Sequence, residues 1–149
     1  MSKNLVETSH GTICLEPAAD GCIVILTGEH DLTSADALAR VLAAARAISP
    51  TTVVDLARAT FIDCRVLGVL VEHRNTCVLA GGDVTLVVSP ASLARRVIEL
   101  THVDDVFPVV GSRPDVAPRA RGTDVSIMQA TTRPAAARRK RAPADDRVA

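Results

Sequence analysis

An α/β fold built on a mixed sheet of four to five strands is what this sequence predicts. Two observations carry that expectation. Short apolar runs of strand length alternate with apolar residues at helical spacing, which implies parallel strand pairs joined by crossover helices. The first two runs instead flank Ala18, Ala19, Asp20 and Gly21, a hairpin signal that adds an antiparallel pair.

Taken in order, Thr12 to Pro17 and Cys22 to Thr27 are the two strands of the hairpin. The second is uninterruptedly apolar, as expected of a strand covered on one face or both. Gly28 to Thr33 is expected to break it, and Thr33 or Ser34 to cap a helix over 33–48 with Asp36 in its first turn. Leu38, Val41, Leu42 and Ala45 give that helix one apolar face, and Ser49-Pro50 ends it. Thr52 to Leu56 is the next strand. Asp55 interrupts it, so this carboxylate must lie at a sheet edge or find a donor. A helix over 66–80 presents Val66, Val69, Leu70, His73, Cys77 and Leu79 or Ala80, and Gly81-Gly82 stops it. Val84 to Val88 is a strand. Pro90 suits the first position of a helix over 91–101, with Leu93, Val97, Ile98 and Leu100 on its buried face. A turn and a short last strand close the pattern by Val109.

Composition narrows the function. Of 149 residues 48% are hydrophobic, enough for a core, yet Phe61 and Phe107 are the only aromatics. The core is therefore aliphatic, and the stacking platforms of single-stranded nucleic-acid binders are missing. No apolar stretch reaches the roughly 20 residues of a membrane-spanning helix, and the first residues lack a signal-peptide profile. The cytoplasm is the expected compartment. Cys14, Cys22, Cys64 and Cys77 form no Cys-x-x-Cys pair, and His10, His30, His73 and His102 are scattered, so no metal site is expected. No Gly-x-Gly-x-x-Gly or Gly-Lys-Ser/Thr element follows a strand, so no nucleotide cofactor is expected. No nucleophile stands in a recognisable order with a histidine and an acid, which speaks against an enzyme.

The net charge of zero hides a division. Residues 1–110 hold 8 Lys and Arg against 13 Asp and Glu, a balance of −5, whereas residues 111–149 hold 9 against 4, a balance of +5. Pro, Ala, Arg, Ser and Thr dominate the second part, which buries too little apolar surface to offset its chain entropy. The expected organisation is a folded domain over 1–110 and a basic, disordered tail over 111–149. Ala135 to Arg141 suits a transient helical turn between Pro134 and Pro143. Arg138 to Arg141 suits an anionic surface, nucleic acid or membrane, with a solvated tail as the plainer reading.

The most informative segment runs from Asp55 to Leu70. A strand ends, a short loop carries Asp63, Cys64 and Arg65, and an apolar run follows at helical spacing. Polar chemistry at a helix start meets free N–H groups and the positive end of the helix dipole. The segment resembles the switch loop of the STAS domain, the fold of bacterial anti-sigma factor antagonists. Four stretches resemble that family in order and spacing: Gly28-Glu29-His30-Asp31-Leu32-Thr33-Ser34-Ala35, then Val53 to Leu56 with Phe61 to Asp63, then Leu67 to Leu70, then Arg95 to Thr101 with Val106 to Pro108. The resemblance covers about residues 5–110 and implies helices packed mainly on one face of the sheet.

The resemblance also carries expectations about function. Family members read Asp-Ser-Ser-Gly-Leu-Gly in this loop, and the second serine is phosphorylated by a partner kinase. Here Cys64 and Arg65 replace the serines and Val66 the first glycine, so the usual phosphoacceptor hydroxyl is missing. The implied partner is an anti-sigma factor of the serine-kinase type. The implied partner-binding residues are Glu29, Asp31, Thr33, Asp63, Cys64, Arg65 and Leu67, with Thr33, Ser34 and Thr60 as nearby hydroxyls. In the family, the carboxylates matching Asp31 and Asp63 sit on the face that meets the kinase. A second expectation is a ligand- or redox-sensing STAS module with Cys64 as sensor, because a helix start can lower a thiol pKa.

Overall fold

The computed structural model describes residues 4–113. The tail beyond them, including the helical turn expected over 135–141, lies outside the described residues. The elements in chain order are β1 (Asn4–Glu7), β2 (Gly11–Ala18), β3 (Gly21–His30), α1 (Leu32–Ile48), β4 (Thr51–Ile62), α2 (Cys64–Leu79), β5 (Asp83–Val87), α3 (Leu93–Thr101), a 3-10 turn (Val103–Asp105) and β6 (Val109–Val110). All six strands form one sheet in sequential order. β1, β2 and β3 pair antiparallel, and β3 through β6 pair parallel. The sheet is mixed, as expected, but it has six strands rather than four or five. β1 escapes the sequence because it is a four-residue edge strand in which only Val6 packs on the core.

Period-two alternation sorts the sheet into two faces. On one, Ile13, Leu15, Cys22, Val24, Leu26, Val54, Leu56, Val84 and Leu86 meet the buried residues of all three helices in a single aliphatic cluster. Full burial of each large aliphatic side chain there contributes roughly 1.5–3 kcal/mol. On the other face Ile23, Val53 and Val87 form a second, smaller cluster with Ala18, Ile25 and Val110, all strand residues.

Two strands run further than the sequence suggests. β3 continues through Gly28 to His30, and β4 through Ala59 to Ile62. Register shifts between Ile25 and Thr27 and between Gly28 and Glu29 absorb the irregularity, so the two strands stay paired to their last residues. Gly28 is needed there: its φ is +89°, and a Cβ would meet the His10 carbonyl oxygen at 2.5 Å.

The helix starts also differ from expectation, and for one reason. Asp31, Asp63 and Ser92 cap α1, α2 and α3, each accepting a backbone N–H of the first turn, so hydroxyls Thr33 and Ser34 and ring Pro90 are not the starts. α3 buries Ala94 and Ile98 and packs Val97 against the core, so Val97 and Ile98 lie on the expected face, while Leu93 and Leu100 are 59% and 72% exposed. Leu79, at the end of α2, is likewise exposed.

Three buried polar groups are satisfied by specific partners. His73, 3% exposed, faces the core from α2 as its spacing predicts. Arg46 Nη1 lies 3.5 Å from its Nδ1, and its Nε2 lies 3.1 Å from Thr52 Oγ1. Arginine can only donate, so Nδ1 accepts and Nε2 carries the proton toward Thr52. Burial, reinforced by the Arg46 charge, pushes the His73 pKa down to about 4. His30, fully buried, places Nε2 3.1 Å from the Thr27 carbonyl and Nδ1 3.2 Å from Ser34 Oγ. Asp55 lies in the central strand β4 and finds its donor in Arg113, whose Nη2 and Nε donate to Oδ2 at 2.6 and 3.0 Å. Its Oδ1 accepts the Ala57 N–H at 2.9 Å.

Candidate functional site

β3 and β4 end together, His30 opposite Ile62. The next residue of each chain segment is an aspartate, and each aspartate starts a helix. Asp31 and Asp63 therefore stand side by side at the C-terminal ends of adjacent parallel strands, where open α/β sheets place their ligand sites. The Asp63 N–H donates to the His30 carbonyl at 3.3 Å and ties the two strand ends together.

Both carboxylates carry structural duties. Asp31 Oδ1 accepts the Thr33 N–H at 2.9 Å and the Thr33 hydroxyl at 2.6 Å. These two bonds from Thr33 hold the Asp31 pKa below its ordinary value. Asp63 Oδ1 accepts the Val66 N–H at 3.0 Å. Both aspartates therefore serve as helix caps. Capping leaves each carboxylate at the surface, with partial exposure, and available for further contacts.

The residues expected around them separate into two groups. Glu29, Thr33, Cys64 and Arg65 are exposed at this end of the sheet. Leu67 is not: it is 4% exposed and belongs to the core, because it lies on the inward face of α2 with Leu70. Its place is beneath the loop, as a support, and the expected partner-contact role is corrected accordingly. Val66 is fully buried as well. Among the nearby hydroxyls, Ser34 is 2% exposed and hydrogen-bonded to His30 and the Asp31 carbonyl, so no kinase reaches it without local unfolding. Thr33 and Thr60 remain on the surface.

Arg65 occupies the first turn of α2, a turn without an acidic residue. A cation there faces the positive end of the helix dipole, which is locally unfavourable. No ion pair engages Arg65 among the described residues. Its charge is presented to solvent beside two carboxylates and Glu29, so the patch carries both signs.

Two residues of the same patch escape sequence reasoning. Leu32 is 63% exposed and directly follows Asp31, and Phe61 is 40% exposed two residues before Asp63. Phe61 pairs in register with Glu29. The available signals were weak: Phe61 is one of two aromatics, and Leu32 falls off the apolar stripe of α1. Together they add apolar area to an otherwise polar surface, the composition expected where a partner docks.

The thiols divide by access. Cys64 is the exposed cysteine, Cys14 is half-buried, and Cys22 and Cys77 are buried. Burial, with Cys77 nearby, pushes the Cys22 pKa up to about 11, and burial raises that of Cys77. Competitive alkylation of the native protein is expected to label Cys64 first and Cys22 and Cys77 only on unfolding. Labelling of Cys14 ahead of Cys64 would remove Cys64 as a reactive position. No group of three or more His, Cys, Asp or Glu side chains is placed to hold a metal ion among the described residues. No helix among them is long and apolar enough to cross a membrane.

Comparison with known proteins agrees with this architecture. An anti-sigma factor antagonist from Mycobacterium paratuberculosis is similar in structure, with a TM-score of 0.60 and 26% identity over 74% of this chain and 87% of that one. The Bacillus cell fate determinant SpoIIAA in its phosphorylated form gives a TM-score of 0.53 at 16% identity, over 67% of this chain and 92% of that one. The anti-sigma factor antagonist SpoIIAA in its unphosphorylated form gives 0.51 at 15%, over 76% and 91%. The two SpoIIAA likenesses are of fold. None of the curated proteins matches the chain. The STAS domain family matches residues 12–116, about 70% of the length, across all three capped helices and the whole parallel part of the sheet. On sequence and structure together, this chain belongs to the STAS domain family.

Proposed function

We propose that this protein is an anti-sigma factor antagonist, a cytoplasmic regulator without catalytic activity that binds and sequesters an anti-sigma factor of the serine-kinase type. The observation that carries the reading is the pair of aspartate-capped helix starts at the ends of β3 and β4, in a chain similar to an antagonist of known structure. The binding surface is Glu29, Asp31, Thr33, Asp63, Cys64 and Arg65, with Leu32 and Phe61 as its apolar part. The domain it uses is the folded unit over 1–110.

Serine phosphorylation does not switch this antagonist at the usual loop position. Arg65 brings a positive charge where phosphoserine would bring about −2, and neither Cys64 nor Arg65 offers the kinase a hydroxyl. Binding is therefore constitutive with respect to that modification. The test incubates the protein with a STAS-partner kinase and ATP, then measures affinity. The wild-type loop is expected to stay unphosphorylated. Arg65→Ser is expected to change affinity by about 1–3 kcal/mol, because it removes a charge from a desolvated, mixed-sign contact. Unchanged affinity in Arg65→Ser would show that this face is not the docking site.

A second reading has one observation in its favour. Cys64 is the exposed thiol and lies at the first position of α2. In that reading the module senses an oxidant or ligand through Cys64, and the alkylation ranking above decides whether it has the reactivity to do so.

A further inference from the structure

The end of the domain opposite Asp31 and Asp63 has an uncharged centre. α1 and α2 begin at the C-terminal ends of β3 and β4 and finish beside the first residues of β4 and β5. Ser49 and Pro50 lead from α1 into β4, and Ala80, Gly81 and Gly82 lead from α2 into β5. The two connections lie side by side, because Thr51 and Asp83 are already in register. They are also packed on each other: a Cβ on Gly82 would meet the Pro50 carbonyl oxygen at 2.1 Å.

The helix ends around these connections are apolar and exposed. Leu79 is 89% exposed, Ile48 54% and Val78 43%. Single exposed leucines are ordinary on a protein surface, whereas a group of large apolar side chains points to an interface. Residues 47–50 and 78–82 hold no ionisable side chain. The bordering charges are engaged elsewhere. Arg46 turns to His73, with Nη1 3.5 Å from Nδ1, and Asp83 Oδ1 lies 3.6 Å from Arg74 Nε. Asp20, in the β2–β3 turn, and Asp104 and Asp105, ahead of β6, stand at the same end on either side of the uncharged centre.

We propose that this end binds a second copy of the chain in a weak, two-fold, end-to-end dimer. Two such patches meet without burying an unpaired charge, because neither copy brings one, and a two-fold contact places the same surface on both sides. An anionic lipid surface is a poor match, since the patch offers no Lys or Arg and is bordered by acids. A charged protein partner finds no side chain at the centre to pair with. The apolar area is on the order of a few hundred Å² per copy, short of the roughly 800 Å² that each partner gives a stable complex. The dimer is therefore weak, with a Kd on the order of 100 µM. The surfaces around Asp31 and Asp63 point away from each other in it and both stay open, so the dimer is bivalent toward whatever those surfaces bind.

Sedimentation equilibrium of the full chain between about 10 µM and about 1 mM tests this. Dimer is expected to build up over that range and to persist at about 0.5 M sodium chloride, where surface charges are screened. Leu79→Lys and Ile48→Lys each set a cation against its own copy across the two-fold axis and are expected to raise Kd at least about tenfold. Both residues are exposed and both end a helix, where a cation is favourable, so the urea midpoints are expected to match wild type. Loss of dimer is then loss of the contact and not of the fold. A chain that stays monomeric to about 1 mM overturns the proposal. So does a dimer that dissolves in the higher salt, which is held by opposite charges, and so does one that both substitutions leave intact. Binding of a monomeric chain to phosphatidylcholine vesicles, lost in the same two variants, assigns the patch to a lipid surface and overturns it as well.

Discussion

Stability is expected to fall as the pH drops from about 6.5 toward about 4, because His73 is held in its neutral form. In the unfolded chain this imidazole takes up a proton near its ordinary value. In the folded protein it does so only at about 4, since burial between α1 and α2, and the Arg46 charge, oppose a second positive charge. Between those two values the unfolded state binds more protons, so acid favours unfolding. Above about 6.5 the contribution is complete, and below about 4 it no longer changes. Full extent corresponds to about 3 kcal/mol, of which about 2 kcal/mol is gone by pH 5. His30 acts in the same direction, its pKa lowered first by burial. Urea unfolding at pH 7.5, 6 and 5 reads the slope, in a range above the ordinary carboxylate pKa values. His73→Gln keeps a donor toward Thr52 without a titrating ring and is expected to flatten most of it. A wild-type stability that stays level from pH 7.5 to 5 would contradict the buried, neutral assignment.

The same histidine shows what a sequence can and cannot convey. Its place on the inward face of α2 follows from the spacing of Val66, Leu70 and Cys77. Its partners do not, because Arg46 and Thr52 come from other elements and meet it only through tertiary packing. Asp55 repeats the lesson. An acid inside an apolar run announces that it needs a donor, but Arg113 lies 58 residues away, outside the expected domain. Asp31 and Asp63 are legible as site residues but not as caps, because the hydroxyls of Thr33 and Ser34 are equally good local candidates and only the structure shows α1 starting on Asp31. Strand lengths were less legible, because β3 and β4 extend through glycine and alanine on the strength of pairing with each other. The face of α3 is legible in part: helical spacing finds Val97 and Ile98, whereas Ala94 packs inward and Leu93 and Leu100 do not. Leu67 was misread for a related reason. Motif similarity marks which residues surround a site, whereas only packing separates those that face a partner from those that hold the loop up.

That distinction governs how a phosphoacceptor can be put back into this loop. The family pattern suggests replacing Cys64, Arg65 and Val66 together by serine, serine and glycine. The first two are exposed, and their replacement is expected to leave stability near wild type. Arg65→Ser even removes a cation from the wrong end of a helix dipole, a gain of about 0.3–1 kcal/mol. Val66 is different. Its side chain is fully buried in the main core, and its N–H closes the Asp63 cap. Val66→Gly removes a buried aliphatic side chain, leaves a cavity under the loop and adds backbone freedom in the first turn of α2. The expected loss is about 3 kcal/mol, a large share of the 5–15 kcal/mol typical of a small domain. The space that glycine would open to a partner backbone is taken here by the valine, so this chain has committed its loop to packing. Urea midpoints of the double variant Cys64→Ser, Arg65→Ser and of the triple variant separate the two effects. The double variant is expected to unfold with the wild type and to accept phosphate from the kinase, whereas the triple variant unfolds far earlier. If the triple variant matched the double in stability, Val66 would not be the wedge that its burial makes it. Failure of the stable double variant to accept phosphate would then rest on kinase docking alone, with loop folding excluded as the cause.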